Sequence, residues 1–217
     1  MIAMTPDTTI FYCREPVLAL KLPVQRDVSQ VFFRWQHTSP SVDAGVPAEV
    51  AHALASALCN HFSATFIAPS ALTPPKVLNE WQRHGSHWAQ TQRRLLSQKM
   101  PLIWSRDPAV VAMAFDENWT TEGQFILLST LSEPFAFDGF KLQGDTAFIL
   151  KFLMQGEGMV GAVLPGVDGD FAGLYGLDER RLSGFLDVDL PQSCVRRGIH
   201  LHMQSAAAFA PGARSGV

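Results

Sequence analysis

The sequence is poor in charge. Only 17% of its 217 residues are Asp, Glu, Lys or Arg, against about 25% in an average soluble domain. A surface charged this thinly leaves room for contact with a partner. Cysteine is scarce too: Cys13, Cys59 and Cys194 stand far apart, with no Cys-x-x-Cys pair among them. That spacing excludes a zinc ribbon or a thioredoxin-type motif and supplies no disulfide framework. Together with the missing signal-peptide pattern, it leads to the expectation of a reducing, cytoplasmic setting. No apolar run approaches the ~20 residues of a membrane-spanning helix, so a soluble chain without a membrane partner is expected.

Catalytic signatures are equally sparse. P-loop, GxSxG, HExxH and SxxK patterns do not occur, which removes the common phosphate-cradling and activated-nucleophile arrangements. Gly156-Glu157-Gly158 with Gly161 has the glycine spacing of a dinucleotide fingerprint but does not follow a strand cleanly, and Asp168-Gly169-Asp170 lacks the alternating oxygens and closing glutamate of a calcium loop. No cofactor is implied. The reading leans away from an enzyme.

What the sequence does hold is a lopsided charge distribution. Residues 76–106 carry six basic and one acidic side chain, a net +5, whereas residues 107–192 carry four basic and fourteen acidic, a net −10. Such segments either neutralise each other within the fold or face different partners. The basic segment sits inside the stretch Thr73–Arg106, which also contains three of the five tryptophans. Thr73 can cap a helix and Pro74 suits its first turn. At about 100° per residue, Val77, Trp81, Trp88 and Leu95 fall in one stripe. Lys76, Arg83, His87 and Arg94 form a second line beside it. A helix over 74–99 is therefore expected, with one aromatic edge and one basic edge and with Gly85 as its weak point.

Other elements follow from local patterns. Thr9–Leu22 reads as two short strands separated by Glu15-Pro16. Val28–His37 reads as a strand with Val31, Phe33 and Trp35 on one face. Pro47 opens a helix over 47–61, with Val50, Leu54 and Leu58 facing a core. Ala64–Ala71 reads as an extended link. Asp107-Pro108 is a helix start leading into Ala109–Phe115, with a strand the alternative there. Gln124–Leu131 reads as a buried strand, Phe135–Leu142 as a hairpin, 146–154 as a third helix, Met159–Leu164 as a strand and Asp178–Leu182 as a helical turn. Phe185–Leu190 and Val195–Gln204 alternate like a closing pair of strands. The fold class expected is α+β, with antiparallel strands at both ends of the chain packed against two or three helices. One domain is expected over 1–204, with 101–106 the candidate point of subdivision and 205–217 a disordered tail.

These elements frame two candidate surfaces. The first is the basic, Trp-bearing helix, with Lys76, Arg83, His87, Arg93, Arg94, Lys99 and Arg106 as charge contacts. Arginine offers a forked donor to phosphate, and tryptophan can stack on unpaired bases. The competing reading makes the tryptophans core and the arginines a solvated face. The second surface pairs Asp187 and Asp189 with His200 and His202. If their strands lay side by side, two carboxylates and two imidazoles could hold a metal that activates water. The expected function is a non-enzymatic binding or assembly subunit of a larger complex, contacting nucleic acid or an acidic protein partner. A metal-dependent hydrolase or nuclease is the alternative, and a protein-only inhibitor or chaperone module is a further one.

Overall fold

The computed structural model describes residues 8–14, 29–36, 46–62, 64–68, 75–84, 87–95, 98–115, 125–130, 159–165, 171–176 and 179–209. Its frame is one mixed sheet that takes strands from Thr9 to Met203. These are β1 (Thr9–Cys13), β2 (Ser29–Gln36), β3 (Ala64–Ala68), β4 (His87–Leu95), β5 (Gln98–Ser105), β6 (Phe125–Ser129), β7 (Met159–Pro165), β8 (Phe171–Gly176) and β9 (His200–Met203). Their spatial order is β4-β5-β3-β6-β7-β8-β2-β1-β9. Neighbours pair antiparallel except β1 with β9, which run parallel. The architecture is α+β.

Helix α1 (Ala48–His61) starts at Pro47, whose carbonyl accepts from Ala51 N–H at 2.9 Å. Proline suits this position because it sets the backbone without needing to donate. Val50, Leu54 and Leu58 are buried together with Ala51, Ala53, Ala55 and Ala57. The alanines keep the helix surface low, so neighbouring elements approach closely. α1 packs against α3 (Pro108–Ala112) and against the stretch that closes the chain. α3 carries the cap expected for it. Asp107 Oδ1 accepts from Ala109 N–H at 2.8 Å, Pro108 follows, and the helix tightens to a 3₁₀ turn over Met113–Phe115. The strand alternative for this segment is thereby excluded.

The core joins these helices to one face of the sheet. Ile10, Val31, Phe33, Ile126, Leu128, Val163, Ala172 and Leu174 belong to a single buried cluster with α1, α3, Phe185, Leu186 and Leu190. Trp35 packs against it, so the face assigned to Val31, Phe33 and Trp35 holds. The alternate strand positions are buried as well: Phe32, Leu127, Ala162, Leu164 and Tyr175. Burial on both faces explains why β6 (FILLS) and β7 (MVGAVLP) read as continuous apolar runs.

Three expectations are corrected. The helix over 74–99 ends early: α2 spans Pro75–His84, and residues 87–95 and 98–105 form an antiparallel pair instead. A stripe spaced by seven residues fits two helical turns, but it does not exclude a strand. Beyond Gly85, pairing with β5, itself bonded to β3, outweighs helix propensity. Second, Phe185–Leu190 is not a strand. A short helix α4 (Glu179–Gly184) continues as a π-helical turn (Phe185–Asp189) and then as α5 (Leu190–Val195). Leu190 N–H reaches back to the Phe185 carbonyl just before Pro191. Proline cannot donate, and its ring would press on the carbonyl four residues earlier in a regular α turn; the wider turn relieves that contact. Third, residues 64–68 are not a link but β3, paired on both sides. The tail also begins with order, because Ala206–Phe209 forms a helical turn, α6, against β1. The 101–106 segment continues the sheet through β5. The hairpin at 135–142 and the helix at 146–154 lie outside the described residues.

Candidate binding surfaces at the two ends of the sheet

At one end of the sheet the predicted basic edge is redistributed over three elements. Lys76 and Arg83 lie exposed on α2. His87, Arg93 and Arg94 lie on β4, the outermost strand, and Lys99 lies on β5. Leu95 pairs with Gln98, so Arg93, Arg94 and Lys99 all fall close to the point where the hairpin reverses. Arg106 follows β5, with its guanidinium 5.5 Å above the Trp104 ring. Glu80 is the one acid in residues 76–106. It accepts from Arg83 at 2.9 Å and lies 3.7 Å from His84. Trp81 is fully buried in the core cluster, and its indole nitrogen has no acceptor among the described residues. The tryptophan of α2 is therefore a packing residue, and among the described residues no helix presents an aromatic edge beside a basic one.

At the other end the aspartates and histidines that could have shared a metal are held apart. Asp187 lies in the π turn and accepts from Arg14 Nη2 at 2.8 Å. Asp189, two residues on, lies 2.8 Å from His61 Nδ1 at the end of α1. His200 and His202 are on β9, which pairs with β1 and not with residues 185–190. The DxD/HxH strand pair is not formed. Among the described residues, no group of three or more His, Cys, Asp and Glu is placed to hold a metal.

The histidines instead join a row of planar groups on the sheet face opposite Ile10 and Leu201. His200 and His202 stack with centroids 6.5 Å apart, His202 stacks on Phe11 at 5.9 Å, and the Arg34 guanidinium lies 5.4 Å from the Phe11 ring. Arg34 also donates to Gln204 Oε1 at 2.9 Å. Phe11, Arg14, Arg34 and His61 were not singled out in the sequence. The one available hint was Arg34, a lone charge inside the apolar run VFFRWQ.

No family model, curated protein or solved structure matches this chain.

Cys194 behaves as a small apolar group. Burial pushes the Cys194 thiol up to about 12, and the Arg197 charge offsets this only in part. Burial also raises the Tyr175 phenol. A thiol so strongly held in its protonated form is a poor nucleophile. No helix among the described residues is long and apolar enough to cross a membrane.

Proposed function

We propose that this chain is a non-enzymatic binding subunit of a larger assembly, and that it contacts nucleic acid through the β4–β5 hairpin and the neighbouring cations. One observation carries the reading. Residues 87–105 contain no acid and place Arg93, Arg94 and Lys99 near the reversal of the outermost hairpin. Lys76 and Arg83 on α2 and Arg106 after β5 add to the same positive segment. Arginine and lysine placed near the reversal of an edge hairpin can follow a phosphate backbone without reading its sequence. The net charge of −3 disfavours a free-standing polyanion binder, which is why the reading places the chain within an assembly.

The test is fluorescence anisotropy with labelled single-stranded RNA and DNA, comparing the native chain with Arg93→Glu/Arg94→Glu/Lys99→Glu. The variant is expected to bind at least about tenfold more weakly. Its salt dependence should flatten by roughly two units of log–log slope, at about 0.7 per single-strand phosphate contact. Unchanged affinity and slope in the variant would remove the hairpin from the interface. If the variant instead lost a nuclease-resistant protein partner and no nucleic acid, the acidic-protein reading would replace this one.

A further inference from the structure

Among the described residues, the last strand of the sheet is open on its outer side. The His200 N–H bonds the Thr8 carbonyl at 3.0 Å and the Gln204 N–H bonds the Tyr12 carbonyl at 2.8 Å. Backbone groups alternate sides along a strand. Leu201 and Met203 therefore turn their N–H and C=O groups away from β1. Among the described residues no strand pairs with that side. On this strand Met203 is 67% exposed, and Val195, at the end of the helix that precedes it, is 78% exposed. An open edge beside exposed apolar groups is a template for another strand.

The charge along the chain segment that carries this edge selects the kind of strand. The acids at the ends of the neighbouring β1 are engaged, Glu49 by the Thr8 hydroxyl and Asp187 by Arg14. No Asp or Glu occurs between residues 190 and 217. Arg196 and Arg197 are exposed in the turn that leads into β9, and His200 and His202 are exposed on it. A second copy of this chain would bring the same acid-free, cationic segment against itself. We propose that the outer edge of β9 accepts an extended acidic segment of a partner protein as a tenth strand. Its backbone pairs with Leu201 and Met203, its carboxylates face Arg196 and the two histidines, and an apolar side chain covers Met203. This surface lies at the opposite end of the sheet from the hairpin and does not depend on the nucleic-acid reading.

The experiment uses three fluorescein-labelled probes: a heptapeptide alternating glutamate and valine, its lysine–valine counterpart, and a fifteen-residue oligothymidylate. Anisotropy measures binding, and amide hydrogen exchange is followed at Leu201 and Met203. The acidic peptide is expected to bind and slow both amides at least about tenfold, while the basic peptide does not bind. Met203→Pro removes one outward N–H and neither of the bonds that His200 and Gln204 donate to β1. It should weaken the acidic peptide about tenfold or more. Arg196→Glu/His200→Glu, which leaves the strand backbone alone, should weaken it similarly. Failure of the acidic peptide to bind at about millimolar concentration, or equal binding to Met203→Pro and the native chain, overturns the proposal. Oligothymidylate that slows the same two amides and displaces the peptide would make the edge a nucleic-acid contact. Self-association abolished by Met203→Pro would make it a contact between copies. Either result overturns the acidic-strand assignment. Loss of oligothymidylate binding through the hairpin variant alone bears on the hairpin and not on this edge.

Discussion

Gly173 is the position where the sheet leaves no room for a side chain. Strand β8 presents Gly173 and Tyr175 on one face, and the tyrosine ring folds back across the glycine. A Cβ added to Gly173 would lie 2.8 Å from Tyr175 Cε2, 2.8 Å from its hydroxyl oxygen and 3.0 Å from Cζ. The ring has little freedom to yield: Tyr175 is 2% exposed and meets Phe32 edge-on at 6.1 Å. Overpacking of this kind costs about 1–3 kcal/mol. Alanine recovers roughly 0.5–1 kcal/mol because it loses less backbone entropy than glycine. Gly173→Ala is therefore expected to destabilise the fold by about 1–2 kcal/mol. With a urea m-value of about 2–3 kcal/mol/M, the unfolding midpoint should fall by roughly 0.5–1 M. The same substitution in a Tyr175→Ala background should be neutral or slightly stabilising, since the atoms it would meet are gone. A double-mutant cycle isolates that coupling. An equal cost in both backgrounds, or a gain in the native one, would refute the reasoning.

Two further perturbations test other parts of the fold. Asp107→Ala removes the acceptor for Ala109 N–H at the start of α3 and should lower stability by about 1 kcal/mol in the same urea titration. Replacement by Asn should recover most of that loss. Cys194 supplies a pH signature. Its thiol titrates near 9 when unfolded and about 12 when folded, so the unfolded chain releases the proton first as pH rises. The stability it contributes is complete below pH 9 and is lost between about 9 and 12, at up to roughly 1.4 kcal/mol per pH unit. Stability curves of the native chain and Cys194→Ala should therefore converge as pH rises through that window. Parallel curves would contradict the assignment.

The elements legible in the sequence are those whose stabilising groups lie near one another along the chain. Helix α1 declared itself through Pro47 and the four-residue spacing of Val50, Leu54 and Leu58. The start of α3 was written in Asp107-Pro108, and β2 in its alternating Val31, Phe33 and Trp35. Each depends on backbone preference or on a local capping bond, so a short window contains the physics. The predicted long helix failed because Trp81, Trp88 and Leu95 suit a helical stripe while residues 87–105 gain more by joining β3 in a sheet. That gain comes from pairing partners 36 to 40 residues earlier in the chain, Ile67 with Ile103 and Thr65 with Ser105, and no local pattern records it. Partners still farther off in sequence separated the candidate metal ligands. Asp187 answers to Arg14, 173 residues earlier, and Asp189 to His61, 128 residues earlier. Their two-residue spacing resembled a strand only while those partners were out of view. Composition and local spacing thus determined the fold class, the starts of α1 and α3 and the positive charge of 76–106. Which segments became the sheet's outer strands, and so which backbone groups face outward, was decided by long-range pairing. A strand's hydrogen bonds are made with another part of the chain, whereas a helix makes its own.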